Sequence, residues 1–433
     1  MWKSVCTLIL AIIFDVQSTM VDLSYRNLQK EQFFVTIQPQ INLHNVTDLN
    51  LKGNCFDSFL DCSTNLNNLK TLDLAENRLQ RFFFLCNDEY NLEYLNVSHN
   101  ELEYIDDNAL NNRVPKLKIL DLSWNKITVI NETMLEHMKI LEFLSVAHNP
   151  VIDIHERAFL HQKNLLHLDM SNISTSFFPS SLFKPMTNLK FLNISFNPIE
   201  TIPFLPINLM ELDISGTHVL YLDSFILPRL TKLHINYMPF ITEVLLNDFE
   251  NLTLMEHLSI ENCQKLSDLR VWPPNTRILP RLRFLSVKGC SLETLTDDLR
   301  PIMQRTSVVN LQNNPWHCDC RMQWVNRLNL SSELSAEIRC KSPEEHEGKL
   351  LIKIPTHDLK CVEFLSAAYP ALWASISILI LALILTGIYL FWKGPLKHWT
   401  LPKRGSDSVS YKNVKESSND LIRILVTDDR ADE

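Results

Sequence analysis

From Leu92 to Ile105 the chain reads LEYLNVSHNELEYI, with apolar residues at Leu92, Leu95, Val97, Leu102 and Ile105 and a polar one, Asn100, between the third and fourth. The spacing L-x-x-L-x-L-x-x-N-x-L recurs. Asn77, Asn100, Asn125, Asn149 and Asn197 hold the same slot, at steps of 23, 25 and 24 residues and then twice 24. The alternation at Leu95 and Val97 predicts a short strand that buries two side chains and leaves Asn96 on the other face. The chain must then turn sharply, and Asn100 can satisfy the stranded backbone because its amide both donates and accepts. One such coil encloses no core, so stability must come from stacking neighbours.

A fixed period of this length marks a leucine-rich repeat solenoid. The expected fold class is an α/β horseshoe of about twelve coils with a parallel sheet on its concave face, running from Val46 to Asn314. The strand pairs begin at Leu49/Leu51 and end at Val309/Leu311. In the second half Ile173, Thr217, Met238, Cys263 and Cys290 replace the asparagine. Of these, Ile and Met cannot donate a hydrogen bond. A one-residue register shift that lets Asn172 serve is expected near 170–175, and the shortening of the repeat to 20 and 21 residues predicts a kink. Residues 19–45 form an N-terminal edge in which DLSYRNL reads as a degenerate first strand.

Residues 1–18 read as a secretory signal: Lys3 is basic, Val5–Phe14 is a short apolar run, and Ser18 is small enough for cleavage. N-x-S/T sequons follow at Asn45, Asn96, Asn131, Asn172, Asn193, Asn251 and Asn329, all ahead of the second apolar run, as in a lumenal ectodomain. Ala371–Trp392 carries no charge over 22 residues, enough for a membrane helix, with Trp373, Tyr389 and Trp392 as interfacial anchors. Lys393, Lys397, Lys403 and Arg404 follow it and place the C-terminus in the cytoplasm. The expected protein is a plasma-membrane, single-pass type I chain with a stalk at 362–370 and a polar, disordered tail at 393–433. Tyr411–Val414 resembles a tyrosine sorting or adaptor motif, and Leu421–Val426 is the tail's apolar island.

Cysteines cluster, as in chains that mature in an oxidising compartment. Cys62 and Cys86 hold equivalent places in neighbouring coils, which predicts a bridge and leaves Cys55 over. Cys263 and Cys290 stand in the ladder slot and read as buried thiols. The stretch NPWHCDCRMQWVNRL at 314–328, with Cys340 and Cys361 beyond it, resembles the C-terminal flanking cap of extracellular leucine-rich repeat proteins. The resemblance implies Cys318–Cys340 and Cys320–Cys361 bridges over a cap at 315–361, a lid too small to hold without staples. His317, Cys318, Asp319 and Cys320 also offer zinc-ligand chemistry, but the secretory context favours disulfides.

From 46 to 392 the chain resembles leucine-rich repeat transmembrane receptors and adhesion proteins, with an ectodomain similar in kind to those of Toll-like receptors. The resemblance implies a glycosylated ectodomain that binds proteins. The tail of 41 residues departs from the Toll-like pattern, because a signalling domain of that type needs about a hundred residues. No phosphate-cradling loop, His-Glu-x-x-His or nucleophile elbow is found, so no catalytic, cofactor or metal site is expected. The net charge of −9 argues against a nucleic-acid partner. The candidate ligand-binding residues are Tyr94, Trp124, Phe143, His148, Phe191 and Phe196, which occupy the slots that line the concave face. Glycans on Asn96 and Asn193 would shield part of that face. Two readings follow, and a third, a structural matrix-like protein, is weakened by the membrane helix unless the ectodomain is shed. One is cell-surface recognition or adhesion, with another protein or the same chain on another cell. The other is a co-receptor or decoy that binds a soluble ligand and signals through a partner chain.

Overall fold

The computed structural model describes residues 20–40, 43–61, 66–84, 89–105, 109–110, 112–222, 225–272, 277–328, 330–335, 337–361 and 364–393. It divides into two units, Met1–Cys361 and Val362–Glu433.

The first unit is a solenoid built on one 13-stranded parallel sheet. Its strands, one per coil, are β1 (Met20–Asp22), β2 (Asp48–Asn50), β3 (Thr71–Asp73), β4 (Tyr94–Asn96), β5 (Ile119–Asp121), β6 (Phe143–Ser145) and β7 (His167–Asp169). They continue as β8 (Phe191–Asn193), β9 (Glu211–Asp213), β10 (Lys232–His234), β11 (His257–Ser259), β12 (Phe284–Ser286) and β13 (Val308–Asn310). Every pair is in register on its central residue, a leucine in all strands but β1 (Val21) and β13 (Val309), so Leu72, Leu95, Leu120 and Leu144 stack as one inward column. The opposite side of each coil is made of turns and short 3-10 segments with small parallel ladders, such as Ser58–Asp61 on Arg81–Phe84. Among the described residues of this unit, α-helix is confined to Arg300–Arg305 and Ser332–Ser335.

The buried asparagines hold the coils together. The Asn100 amide donates to Leu74 O and Val97 O at 3.0 Å, and its oxygen accepts the Leu79 N–H at 2.8 Å. Asn125 repeats the pattern one coil on, with Val97 O, Leu122 O and the Leu102 N–H. Each residue therefore closes its own turn and ties it at two points to the preceding coil.

The expected register shift at 170–175 does not occur. Ile173 keeps the ladder slot, fully buried, and its N–H is taken by Asn197 Oδ1 at 3.0 Å. Asn172 is exposed with φ +50°, a left-handed conformation that asparagine tolerates better than isoleucine. Further along, the Thr217 hydroxyl donates to Ile214 O at 2.9 Å. The thiols of Cys263 and Cys290 are buried and donate to Ile235 O and Ile260 O at 3.3 and 3.2 Å. The neighbouring Cys263 first, and then burial, push the Cys290 thiol up.

Both ends of the solenoid are sealed. At the N-terminal end β1 adds a strand beyond the twelve expected, starting two residues before DLSYRNL. A π-helical turn, Gln32–Ile37, sets Phe33 against Phe56, with Phe34 on Phe59 beside it. At the other end Trp316 is fully buried and its indole N–H donates to Leu311 O. Disulfides join Cys318 to Cys340 and Cys320 to Cys361, so neither pair is free to ligate a metal as thiolate. Cys55 is a free, half-buried thiol bonded to Asn27 Oδ1. Cys62, Cys86, Asn329, Tyr411 and Val414 lie outside the described residues.

In the second unit Phe364–Lys393 is one α-helix of 30 residues. Its Trp373–Leu390 stretch has a mean hydropathy of 2.2, and the helix is long and apolar enough to cross a membrane. It begins within the segment read as a stalk, since residues 364–370 are already helical.

Candidate concave recognition face

Each coil offers the open sheet face three side chains, set by local rules. The residue before the central leucine and the one after it point away from the core because a strand alternates. The third follows a tight turn and takes left-handed backbone. In successive coils it is Glu76, His99, Trp124, His148, Asn172 and Phe196, all with φ between 50° and 55°. Gly53, Gly216 and Gly289 fill the same place in other coils. Left-handed backbone costs a residue with a Cβ about 1–2 kcal/mol relative to glycine. A tryptophan or phenylalanine held there, half exposed, therefore needs a reason other than packing.

The six candidate residues fall into two pairs and two that stand alone. In the left-handed column Trp124 lies between two imidazoles, 5.1 Å from His99 and 3.8 Å from His148, nearly parallel to both. The Asn172 side-chain amide lies 2.8 Å from His148 Nδ1, within hydrogen-bond distance. In the strand column Phe143, His167 and Phe191 stack at 4.9 and 5.2 Å. Phe196 is separated from the Trp124 column by Asn172 and faces Tyr237 at 6.1 Å. Tyr94 stands apart and half-buried, its phenol pushed up first by burial and then by Asp73. His99, His167 and Tyr237 thus join the surface. They sit in the same sequence slots as the candidates, and that shared slot was the available signal.

Burial lowers the His167 imidazole below its ordinary 6.5, against the pull of Asp169. The same cause raises Asp73. The residue that closes each strand also has a structural task. Asp73, Asn96, Asp121, Asp169, Asn193 and Asp213 each accept the N–H of the residue two positions on, at 2.8–3.0 Å. Of the sequon asparagines, Asn45, Asn172 and Asn251 are exposed, while Asn96, Asn131 and Asn193 are half-buried. Asn96, Asn172 and Asn193 share the concave face.

Comparison with known proteins agrees with this architecture. The Leucine rich repeat family pattern matches residues 90–151. The chain is 26% identical to trophoblast glycoprotein of Macaca fascicularis over 325 residues, 69% of this chain and 67% of that one. It is 27% identical to leucine-rich repeat transmembrane protein FLRT2 of Rattus norvegicus over 224 residues, 45% of this chain and 34% of that one. Among solved structures, the TLR13–ssRNA13 complex matches with a TM-score of 0.55 and 17% identity, over 78% of this chain and 57% of that one. That last likeness is one of fold. The chain is therefore similar to leucine-rich repeat transmembrane proteins, and its apolar helix fits a single membrane crossing.

Proposed function

We propose that this chain is a non-enzymatic cell-surface recognition protein whose concave sheet face binds another protein, with residues 20–361 outside the cell and the C-terminus in the cytoplasm. The observation that carries the reading is Trp124, 49% exposed, held in left-handed backbone and stacked between His99 and His148. Rigid, exposed aromatics on a regular sheet supply contact area at little entropic cost, which is what protein-binding hot spots use. Glycans on Asn96, Asn172 and Asn193 would frame this face and narrow the open area toward coils 5 and 6.

Adhesion between cells is the first form of this reading. It is tested by coating beads with residues 19–365 and presenting them to cells with and without the full chain. Binding confined to expressing cells supports contact between copies of this chain; equal binding to both cell types directs the search to a different protein. The co-receptor reading gains from an apolar groove of about 320 Å³ lined by Ile202, Phe204, Ile207 and Ile226, away from the sheet. A partner chain seated there would leave the concave face free for a ligand. Charge substitutions in the groove that abolish signalling but not ligand binding would favour it over adhesion.

A further inference from the structure

Aspartate closes every second strand in the middle of the sheet: Asp73, Asp121, Asp169 and Asp213. Each gives one oxygen to its turn. The fold asks only for an acceptor there, since Asn96 and Asn193 do the same work in the coils between. The negative charge is therefore additional to what the fold requires. Coils 3 to 9 place no lysine or arginine in the strand or left-handed positions of this face. None of the four aspartates forms an ion pair among the described residues, whereas Glu76 and Glu211 are paired with Lys52 and Lys232. Between the carboxylates stand rings: Tyr94 feels both Asp73 and Asp121, and His167 feels Asp169.

We propose that this face docks an arginine-bearing, extended protein segment, with guanidinium groups seated between the unpaired aspartates and the flanking rings. A guanidinium meets a carboxylate through paired donors and stacks on an aromatic face, so it satisfies both halves of the surface at once. The spacing favours an extended occupant. Neighbouring strands lie about 4.8 Å apart, so alternate aspartates recur every ~9.6 Å. A polyproline II segment returns to the same face every third residue, after ~9.3 Å. The inference rests on the reading of the concave face as the recognition surface and adds the chemistry of the partner.

The test uses the full chain in detergent micelles and a fluorescent (Arg-Pro-Pro)4 peptide, with (Glu-Pro-Pro)4 as the control. Saturable binding of the arginine peptide is expected, weakening with salt and falling roughly tenfold or more in the Asp121→Asn/Asp169→Asn double variant. Asparagine keeps the turn acceptor, so the variant retains its fold; because both substitutions complete an N-x-S sequon with Ser123 and Ser171, the natural chain and the variant are both produced with N-glycosylation blocked. No saturable binding, equal binding by the double variant, or equal binding of the glutamate peptide would overturn the proposal. The two readings fail separately. If the double variant keeps the peptide while Trp124→Ala abolishes binding of coated beads to cells, the cation selectivity fails and the recognition face stands. If Trp124→Ala leaves bead binding intact, the recognition reading fails with it.

Discussion

The indole of Trp124 lies 3.8 Å from the imidazole of His148 at an interplanar angle of 12°, and both residues sit in left-handed backbone one coil apart. The pair arises from the repeat itself. Parallel in-register strands bring equivalent positions of adjacent coils together, so a slot that holds aromatics in successive coils becomes a stack. The same rule builds the Phe143–His167–Phe191 column.

The asparagine ladder sets local stability. Asn100→Ala leaves the buried Leu79 N–H without its partner, at about 1–3 kcal/mol for the orphaned group, while the carbonyls of Leu74 and Val97 keep the amides of Asn77 and Asn125. Amide exchange at Leu79 is expected to rise at least roughly tenfold. The Leu102 amide, held by Asn125, should be much less affected.

Gly216 makes room for Phe196. A Cβ on Gly216 would stand 2.6 Å from the Phe196 ring, and φ is +66°. Gly216→Ala is expected to destabilise coil 9 by about 1–2 kcal/mol and to displace Phe196. Thermal melting and ligand binding should both fall; an unchanged melt would contradict the packing account.

The His167 ring carries a pH dependence. Its native pKa lies below the ordinary 6.5 because it is half-buried between Phe143 and Phe191. Above 6.5 the ring is neutral folded or unfolded, and stability is full. As pH falls below 6.5 the unfolded chain takes the proton first, and stability is lost until the lowered native pKa is passed. Melting temperature should therefore drop between neutral pH and pH 5 more steeply in the natural chain than in His167→Phe, which extends the phenylalanine column.

The cap depends on its staples. Replacing Cys320 and Cys361 with serine opens a bridge across 41 residues of sequence and is expected to cost about 2–5 kcal/mol. Trp316, now fully buried, should then show red-shifted emission, and delivery of the chain to the cell surface should fall.

Much of the fold was legible because burial repeats with a fixed period. The strand pairs from Leu49/Leu51 to Val309/Leu311 and the ladder asparagines are read straight from spacing, and the structure keeps them in one register. Asn172 shows where spacing misled. An asparagine one residue from the ladder slot looks like its natural occupant, but the left-handed turn takes the asparagine, and the core keeps Ile173. The N-terminal seal was hidden for a different reason, since Phe33 and Phe34 lie on a π-helical turn outside the repeat period. The candidate face was legible in its slots and not in its grouping. Nothing in the spacing says that Asn172 parts Phe196 from Trp124, or that Asp121 and Asp169 serve turns that asparagine serves elsewhere. The strand-closing role did leave a trace, an aspartate or asparagine two residues before a small residue in coil after coil.

The most direct test compares wild-type and Trp124→Ala/Phe196→Ala ectodomains on beads, after hydrogen exchange has shown the same protected coils in both. The concave-face account predicts that the variant loses binding to cells that bind the wild type, because the two rings contribute exposed contact area and little to the core. Equal binding by a variant with an unchanged exchange pattern would contradict it and place recognition elsewhere on the solenoid.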